Sequence, residues 1–118
     1  MAGYGILIWK SQYPPFNAAE IPEINYLRVF GRFLRQWIAA ALVARFEELA
    51  VANGCAAIGL SVGLYTDFGP AQRLYAKLGF IPDGKGVAWN NQPAEPGASV
   101  RVDDDLLLWV VKDFGQHP

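Results

Sequence analysis

The chain has 118 residues, of which 53% are hydrophobic and 18% charged, so residues 1–118 have enough apolar material for one core and too little length for two. A formal charge of −1 and a pI near 5.7 disfavour nucleic acid as a partner, because phosphate backbones bind clustered positive charge. The apolar run Trp37–Ala44 is too short to span a membrane, Met1–Lys10 lacks a basic leader, and the lone Cys55 excludes an intramolecular disulfide, so we expect a cytoplasmic protein with no membrane partner.

Two strands are predicted near the N-terminus. Residues Tyr4–Trp9 are apolar and β-prone, which predicts a largely buried strand that ends before Pro14 and Pro15. Ile21–Phe30 carries apolar residues in partial alternation and is followed by Gly31. This second pattern is typical of a strand with one buried face.

A strand–helix–strand unit is predicted next. Between Phe33 and Leu49 apolar residues recur at steps of three and four, which predicts a helix that packs on a sheet. Asn53-Gly54 marks its end, since glycine tolerates a positive φ. Cys55–Val62 lacks alternating polarity and reads as a central strand covered on both faces. Because the helix joins the two strands directly, we expect them to lie parallel or as near neighbours in one sheet.

The C-terminal half predicts a second helix and a pair of strands. The helix covers Gly69–Leu78, with Pro70 tolerated in its first turn. Phe80-Ile81 and Gly86–Trp89 form a further strand, Asn90–Ser99 a loop, and Asp105–Val111 a last strand that pairs antiparallel with the preceding one. The predicted architecture is α/β, a mixed central sheet with two main helices.

The segment SVGLYTDFGPAQRLYAKLGFIPDGKGV, followed by DDDLLLWVVK, resembles the GCN5-related N-acetyltransferases (GNAT). Its LYAKLGF stretch, Leu74–Phe80, is similar to the LYxKLGF signature of that family. The resemblance extends over nearly the whole chain but begins at the third strand of the family fold. It implies a partial GNAT (acyl-CoA N-acyltransferase) fold, one GNAT-like domain that lacks the family's first strand, first two helices and second strand.

The elements that lack a counterpart would cover one edge of the sheet. An uncovered strand edge and apolar surface favour pairing with another chain. We therefore expect a homodimer, or association with another protein, through that edge. The resemblance also implies acetyl-CoA as cofactor and a small amine as acceptor.

In the family, a loop of pattern Arg/Gln-x-x-Gly-x-Gly/Ala opens the long helix and holds the pyrophosphate of acetyl-CoA. Helix N-terminal N–H groups favour such an anion. The aligned positions here are Leu34–Ala39, with Trp37 in place of the first glycine. A bulky indole there would fill the phosphate site or force the anion outward, so we predict weak or no activity. The resemblance implies a cofactor-binding set of Leu27, Val29, Arg35, Gln36, Trp37, Ile38, Ala39 and Ala40.

Two residues match catalytic positions of the family. Tyr75 matches a tyrosine that protonates the departing thiolate; core packing is the alternative. Glu23 lies on the strand where members place a carboxylate that accepts the amine proton through water; a solvated strand-edge carboxylate is the alternative. No metal site is predicted, because the acidic run Asp103–Asp105 has no partner set.

The departures from the family crowd into one strand-to-helix junction. Aromatic and Arg side chains dominate protein-binding surfaces. A second hypothesis is therefore a non-catalytic protein-binding or self-assembling module, diverged or engineered on a GNAT scaffold. Its binding patch would comprise Tyr26, Arg28, Phe30, Phe33, Leu34 and Trp37.

Overall fold

A computed structural model describes residues 3–29 and 35–115. Its strands are β1 (Gly3–Ile8), β2 (Glu23–Val29), β3 (Ala57–Gly63), β4 (Ile81–Trp89), β5 (Gln92–Pro93) and β6 (Leu106–Asp113). Its helices are α1 (Pro14–Ala18), α2 (Arg35–Ala52) and α3 (Gly69–Lys77), with a short 3₁₀ helix at Thr66–Phe68 before α3.

The strands of the described residues form one six-stranded sheet in the order β1-β2-β3-β6-β4-β5. Only β2 and β3 pair in parallel; every other neighbouring pair is antiparallel. A parallel pair needs a crossover, and α2 supplies it. The mixed sheet, the two main helices and the antiparallel pairing of the last long strands are therefore as predicted.

Strand β3 is buried on both faces, as its unbroken apolar sequence predicts. On one face Ile58 and Leu60 pack with residues of α2 such as Val43 and Ala50. On the other face a separate aromatic cluster forms from Tyr13, Phe16, Ala88 and Trp109. Two cores on opposite faces make β3 and β6 the rigid centre of the sheet.

Strand β2 contains a bulge. Tyr4 of β1 lies opposite Arg28, but Ile6 lies opposite Asn25, so β2 uses three residues where β1 uses two. An extra residue reverses the alternation of side chains along a strand. For that reason Ile24 and Leu27, three positions apart, pack against the same core cluster.

The prediction that the first strand is largely buried is wrong. Tyr4 is 44% and Ile6 46% exposed, because β1 is the edge strand of the described sheet and α2 covers only one of its faces. A Cβ on Gly5 would lie 3.0 Å from Cε2 of Phe46. Glycine at this position therefore lets α2 pack close to β1.

The segment after β1 does more than end the strand. Pro14–Ala18 forms α1, with proline in its first positions, where the missing N–H costs nothing.

The two apolar stretches predicted around Phe80 and Trp89 belong to one strand, β4, whose register is irregular between Pro82 and Val87. The predicted loop after β4 contains the short strand β5.

Helix α2 continues to Ala52 and is followed by Gly54 at φ +81°, as the Asn-Gly pair predicts. Within the described ranges, no helix combines the length and the hydropathy needed to span a bilayer.

Candidate functional site

The candidate site is a cleft between β2 and β3. These strands are paired at a single register position, Glu23 opposite Gly59, beside which the N–H of Gly59 donates to the carbonyl of Pro22 at 3.0 Å. Residues beyond that position on both strands line a cleft of about 730 Å³. We call the Glu23–Gly59 position the closed end. The open end lies where β2 stops at Val29 and α2 begins at Arg35.

A glycine at position 59 allows the closed end to form. A Cβ there would lie 2.2 Å from Cε2 of Phe16 in α1, which is closer than two carbon atoms that are not bonded to each other can approach. Phe16 is 1% exposed and packs edge-to-face on Trp109, with ring centroids 5.1 Å apart. Helix α1 therefore covers the junction of the two strands from the face opposite α2.

Glu23 is a buried carboxylate at this closed end. Its side chain is 5% exposed; Oε1 accepts a hydrogen bond from Ser11 Oγ at 2.6 Å and Oε2 accepts one from Asn25 Nδ2 at 2.9 Å. Burial raises the pKa of Glu23 above its ordinary value, while the two hydrogen bonds oppose that rise. The alternative of a solvated strand-edge carboxylate is therefore wrong.

Tyr75 lines the same cleft from α3. Its ring packs edge-to-face against Phe80, with centroids 6.2 Å apart, and contributes to the main core. Burial raises the pKa of the phenol, and the charge of Arg28 on the opposing wall partly offsets that effect. Tyr75 thus packs in the core and also borders the cleft, so both of its predicted roles are compatible with its position.

Polar side chains from loops border the cleft as well. Lys10 and Gln12 follow β1, whereas Asp104 and Asp105 precede β6. Asp104 accepts a hydrogen bond from the hydroxyl of Tyr65, which raises the pKa of that phenol to about 12. The predicted acidic run thus contributes two carboxylates to the wall of the cleft.

In the described part of the chain no group of three or more His, Cys, Asp or Glu side chains is arranged to hold a metal ion.

The predicted cofactor residues lie at the open end. Leu27 lines the cleft, Arg35 and Gln36 form the start of α2, and Ala39 is 3% exposed within it. Val29, Trp37, Ile38 and Ala40 do not contribute to the described lining of the cleft.

Trp37 is 77% exposed, so its ring is not part of either core. Of the predicted binding patch, Arg28 lines the cleft and Tyr26 lies within β2. Phe30, Phe33 and Leu34 lie outside the described residues.

Ser11 and Asn25 were not among the predicted site residues. Asn25 lies two positions after Glu23 on one strand, and strand periodicity places such residues on the same face, so that spacing was the available signal. Ser11 is twelve positions away in a connecting segment. Nothing local in the sequence links it to Glu23.

No family model matches the chain, and no curated protein matches its sequence. Solved structures that match its fold include two acetyltransferases. An aminoglycoside 6'-acetyltransferase of type Ii has a TM-score of 0.67 at 21% identity, over 99% of this chain. The aminoglycoside 6'-N-acetyltransferase from Enterococcus faecium has a TM-score of 0.65 at 18% identity, over 99% of this chain and 70% of that one.

Both of these proteins have the GNAT fold. This chain has the GNAT fold. It spans 64% of the length of the type Ii structure. The predicted family fold is confirmed, and within the GNAT fold the cleft described above lies between its two parallel strands.

Proposed function

We propose that the chain transfers an acetyl group from acetyl-CoA to an amine, at a low rate. The observation that carries this proposal is the buried Glu23 carboxylate, held by two hydrogen-bond donors at the closed end of a cleft that Tyr75 also lines. Paired titratable groups in a cleft with shifted pKa values are typical of acid–base chemistry.

The cleft between β2 and β3 suits an extended ligand. Within the described residues, the outer edges of the two strands pair with β1 and β6, and the strands share one register position, Glu23 opposite Gly59, beyond which both line the cleft. An extended chain of amides can bond to a strand, and the pantetheine arm of acetyl-CoA carries two amides in this form. When bound, acetyl-CoA supplies an activated thioester.

Glu23 is proposed to remove the proton of the amine. A carboxylate whose pKa is raised towards neutrality is a better base than an ordinary glutamate, and burial has this effect on Glu23. The hydrogen bonds from Ser11 and Asn25 keep the carboxylate in one orientation. Water within the cleft can relay the proton from an amine that is not in direct contact with Glu23.

Tyr75 is proposed to donate a proton to the leaving thiolate. A tyrosine phenol is protonated at neutral pH, which a proton donor requires, and burial raises the pKa of Tyr75 in the same direction. Desolvation beside the buried ring of Tyr75 would raise the pKa of the thiolate as well, so the transfer is less unfavourable than the ordinary pKa values of the two groups suggest.

The amine acceptor is proposed to carry additional positive charge. Asp104 and Asp105 contribute two carboxylates to the wall of the cleft, and opposite charges favour binding and orientation at close range. The two solved structures are named as aminoglycoside acetyltransferases, and aminoglycosides are polycationic amines. Polyamines share that chemistry and belong to the same substrate class.

The low rate is expected from Trp37. A tryptophan in the first turn of α2 replaces the glycine that would let phosphate oxygens reach the helix N–H groups. Because the ring is largely exposed, it is free to occupy the space beside that turn. Weak binding of the pyrophosphate would raise the acetyl-CoA concentration that the reaction needs.

The test measures binding and turnover separately. Acetyl-CoA should raise the melting temperature in a concentration-dependent way up to about 1 mM, and thiol should be released when a polycationic amine is added. The double variant Leu34→Arg with Trp37→Gly should increase the melting shift. If neither protein shows a melting shift or thiol release, the transferase proposal fails.

A second candidate is an association module, which one observation favours. Trp37 exposes 77% of its surface, and large exposed aromatic side chains are common anchors of protein interfaces. A second copy of the chain is the proposed partner. Trp37→Ala should shift a concentration-dependent oligomer towards the monomer in light scattering; an unchanged mass at every concentration counts against this candidate.

A further inference from the structure

Ser11 is buried beside the proposed base. It lies in the segment between β1 and α1, and only 4% of its surface is exposed. Its O–H group donates to Oε1 of Glu23 at 2.6 Å, and its oxygen accepts from the backbone N–H of Tyr13 at 3.1 Å. A serine hydroxyl has one proton. The N–H of Tyr13 occupies one lone pair of this oxygen, so the hydroxyl proton of Ser11 is left to point towards the Glu23 carboxylate.

The position of Ser11 is set by the aromatic cluster that packs on the same face of the sheet. Tyr13 is 1% exposed and stacks on Trp109 with ring centroids 4.1 Å apart and planes within 2°. Its hydroxyl donates to Oδ2 of Asp83 in β4 at 2.6 Å. The backbone N–H that orients Ser11 therefore belongs to a residue anchored at two points, which leaves the Ser11 hydroxyl little freedom to turn away from Glu23.

We propose that Ser11 is a positioning residue for the transfer reaction: its hydroxyl holds Oε1 of Glu23, so that the remaining lone pairs of the carboxylate are presented to the amine in one fixed orientation. The inference rests on the proposed function, because it assigns Ser11 a role only in relation to Glu23 as base. Ser11 itself touches neither substrate nor the reacting atoms.

The charges around Glu23 are the same with and without the Ser11 hydroxyl. The other charged or titratable side chains that line the cleft come from the segment after β1, from β2, from α3 and from the loop before β6. They are Lys10, Arg28, Tyr75, Asp104 and Asp105. These groups act on the pKa of Glu23 equally in wild type and in Ser11→Ala. The difference between the two proteins therefore reports the hydrogen bond from Ser11 alone.

The direction of the effect follows from the chemistry. Hydrogen bonds to the ionised form of a carboxyl lower its pKa, and the Ser11 hydroxyl lowers that of Glu23 against the larger effect of burial. In Ser11→Ala the pKa of Glu23 should therefore rise further. The ascending limb of the pH–rate profile should move to higher pH, with a rate about tenfold lower on its acid side and less than about threefold lower on its plateau.

The experiment combines two readouts. The first is a carbon-13 NMR titration of the Glu23 carboxyl, assigned by its loss in Glu23→Gln, in wild type, Ser11→Ala and Ser11→Thr. The second is the pH profile of acetyl transfer for the same proteins. Ser11→Thr keeps the hydroxyl and should restore the wild-type profile. Ser99→Ala, the same change at an exposed loop position, is the matched control and should leave both readouts unchanged.

The outcomes separate this inference from the proposed function. A raised Glu23 pKa together with a shifted limb in Ser11→Ala supports it. An unchanged Glu23 titration in Ser11→Ala overturns it, even if wild type is active. If wild type transfers no acetyl group but the Glu23 titration still responds to Ser11→Ala, the proposed function fails and the linkage between Ser11 and Glu23 stands. The titration needs no activity, so a slow enzyme does not obscure it.

Discussion

The two ends of the cleft are built differently. At the closed end a charged side chain, Glu23, is buried and both of its oxygens are hydrogen-bonded. At the open end an apolar side chain, Trp37, is 77% exposed. Burial of a charge is costly unless partners are supplied, and exposure of an indole gains nothing in stability. The closed end is therefore organised around the proposed chemistry. At the open end Trp37 adds nothing to stability, so any role it has must lie in binding a ligand or another protein.

The largest effect is expected at the closed end, from Glu23→Gln. The substitution keeps the shape of the side chain and removes its ability to take a proton, so acetyl transfer should fall by at least about 100-fold. The measurement is thiol release at saturating acetyl-CoA. Glu20→Gln, at an exposed position near α1, is the matched control and should retain wild-type activity. A Glu23→Gln protein with near-normal turnover would remove Glu23 from the reaction.

The sequence was sufficient to predict the long strands and the two main helices, but not the order of the strands, the exposure of β1 or the closed end. The unbroken apolar run that became β3 and the spacing that became α2 predict elements, because each depends on local periodicity. The contacts of Ser11 with Glu23 and of Phe16 with Gly59 join segments that are distant in the chain. Their geometry is a product of the assembled sheet, so no local pattern reveals it. Helix α1 was missed for a different reason: its two prolines signal the end of a strand as well as the start of a helix.

A second test concerns how the closed end is held together. Gly59→Ala would place a methyl group 2.2 Å from Cε2 of Phe16, and overpacking of this kind costs about 2 to 3 kcal/mol of unfolding free energy. Urea denaturation measures the loss. Gly69→Ala is the matched control, since nothing lies within 4 Å of the added Cβ at that position. Equal stability of the two variants would show that Phe16 moves aside without cost.

The smallest effect on stability is expected at the open end. Trp37→Ala should change the free energy of unfolding by less than about 0.5 kcal/mol, because substitutions of exposed residues rarely do more and alanine is favoured in helices. Acetyl-CoA binding and self-association, measured on the same sample, then become informative. If the variant binds acetyl-CoA more tightly, the indole obstructs the phosphate position; if it instead loses an oligomer, the indole anchors a partner. A large loss of stability would mean that Trp37 packs against part of the chain. The two ends of the cleft would then not differ in the burial of their key side chains.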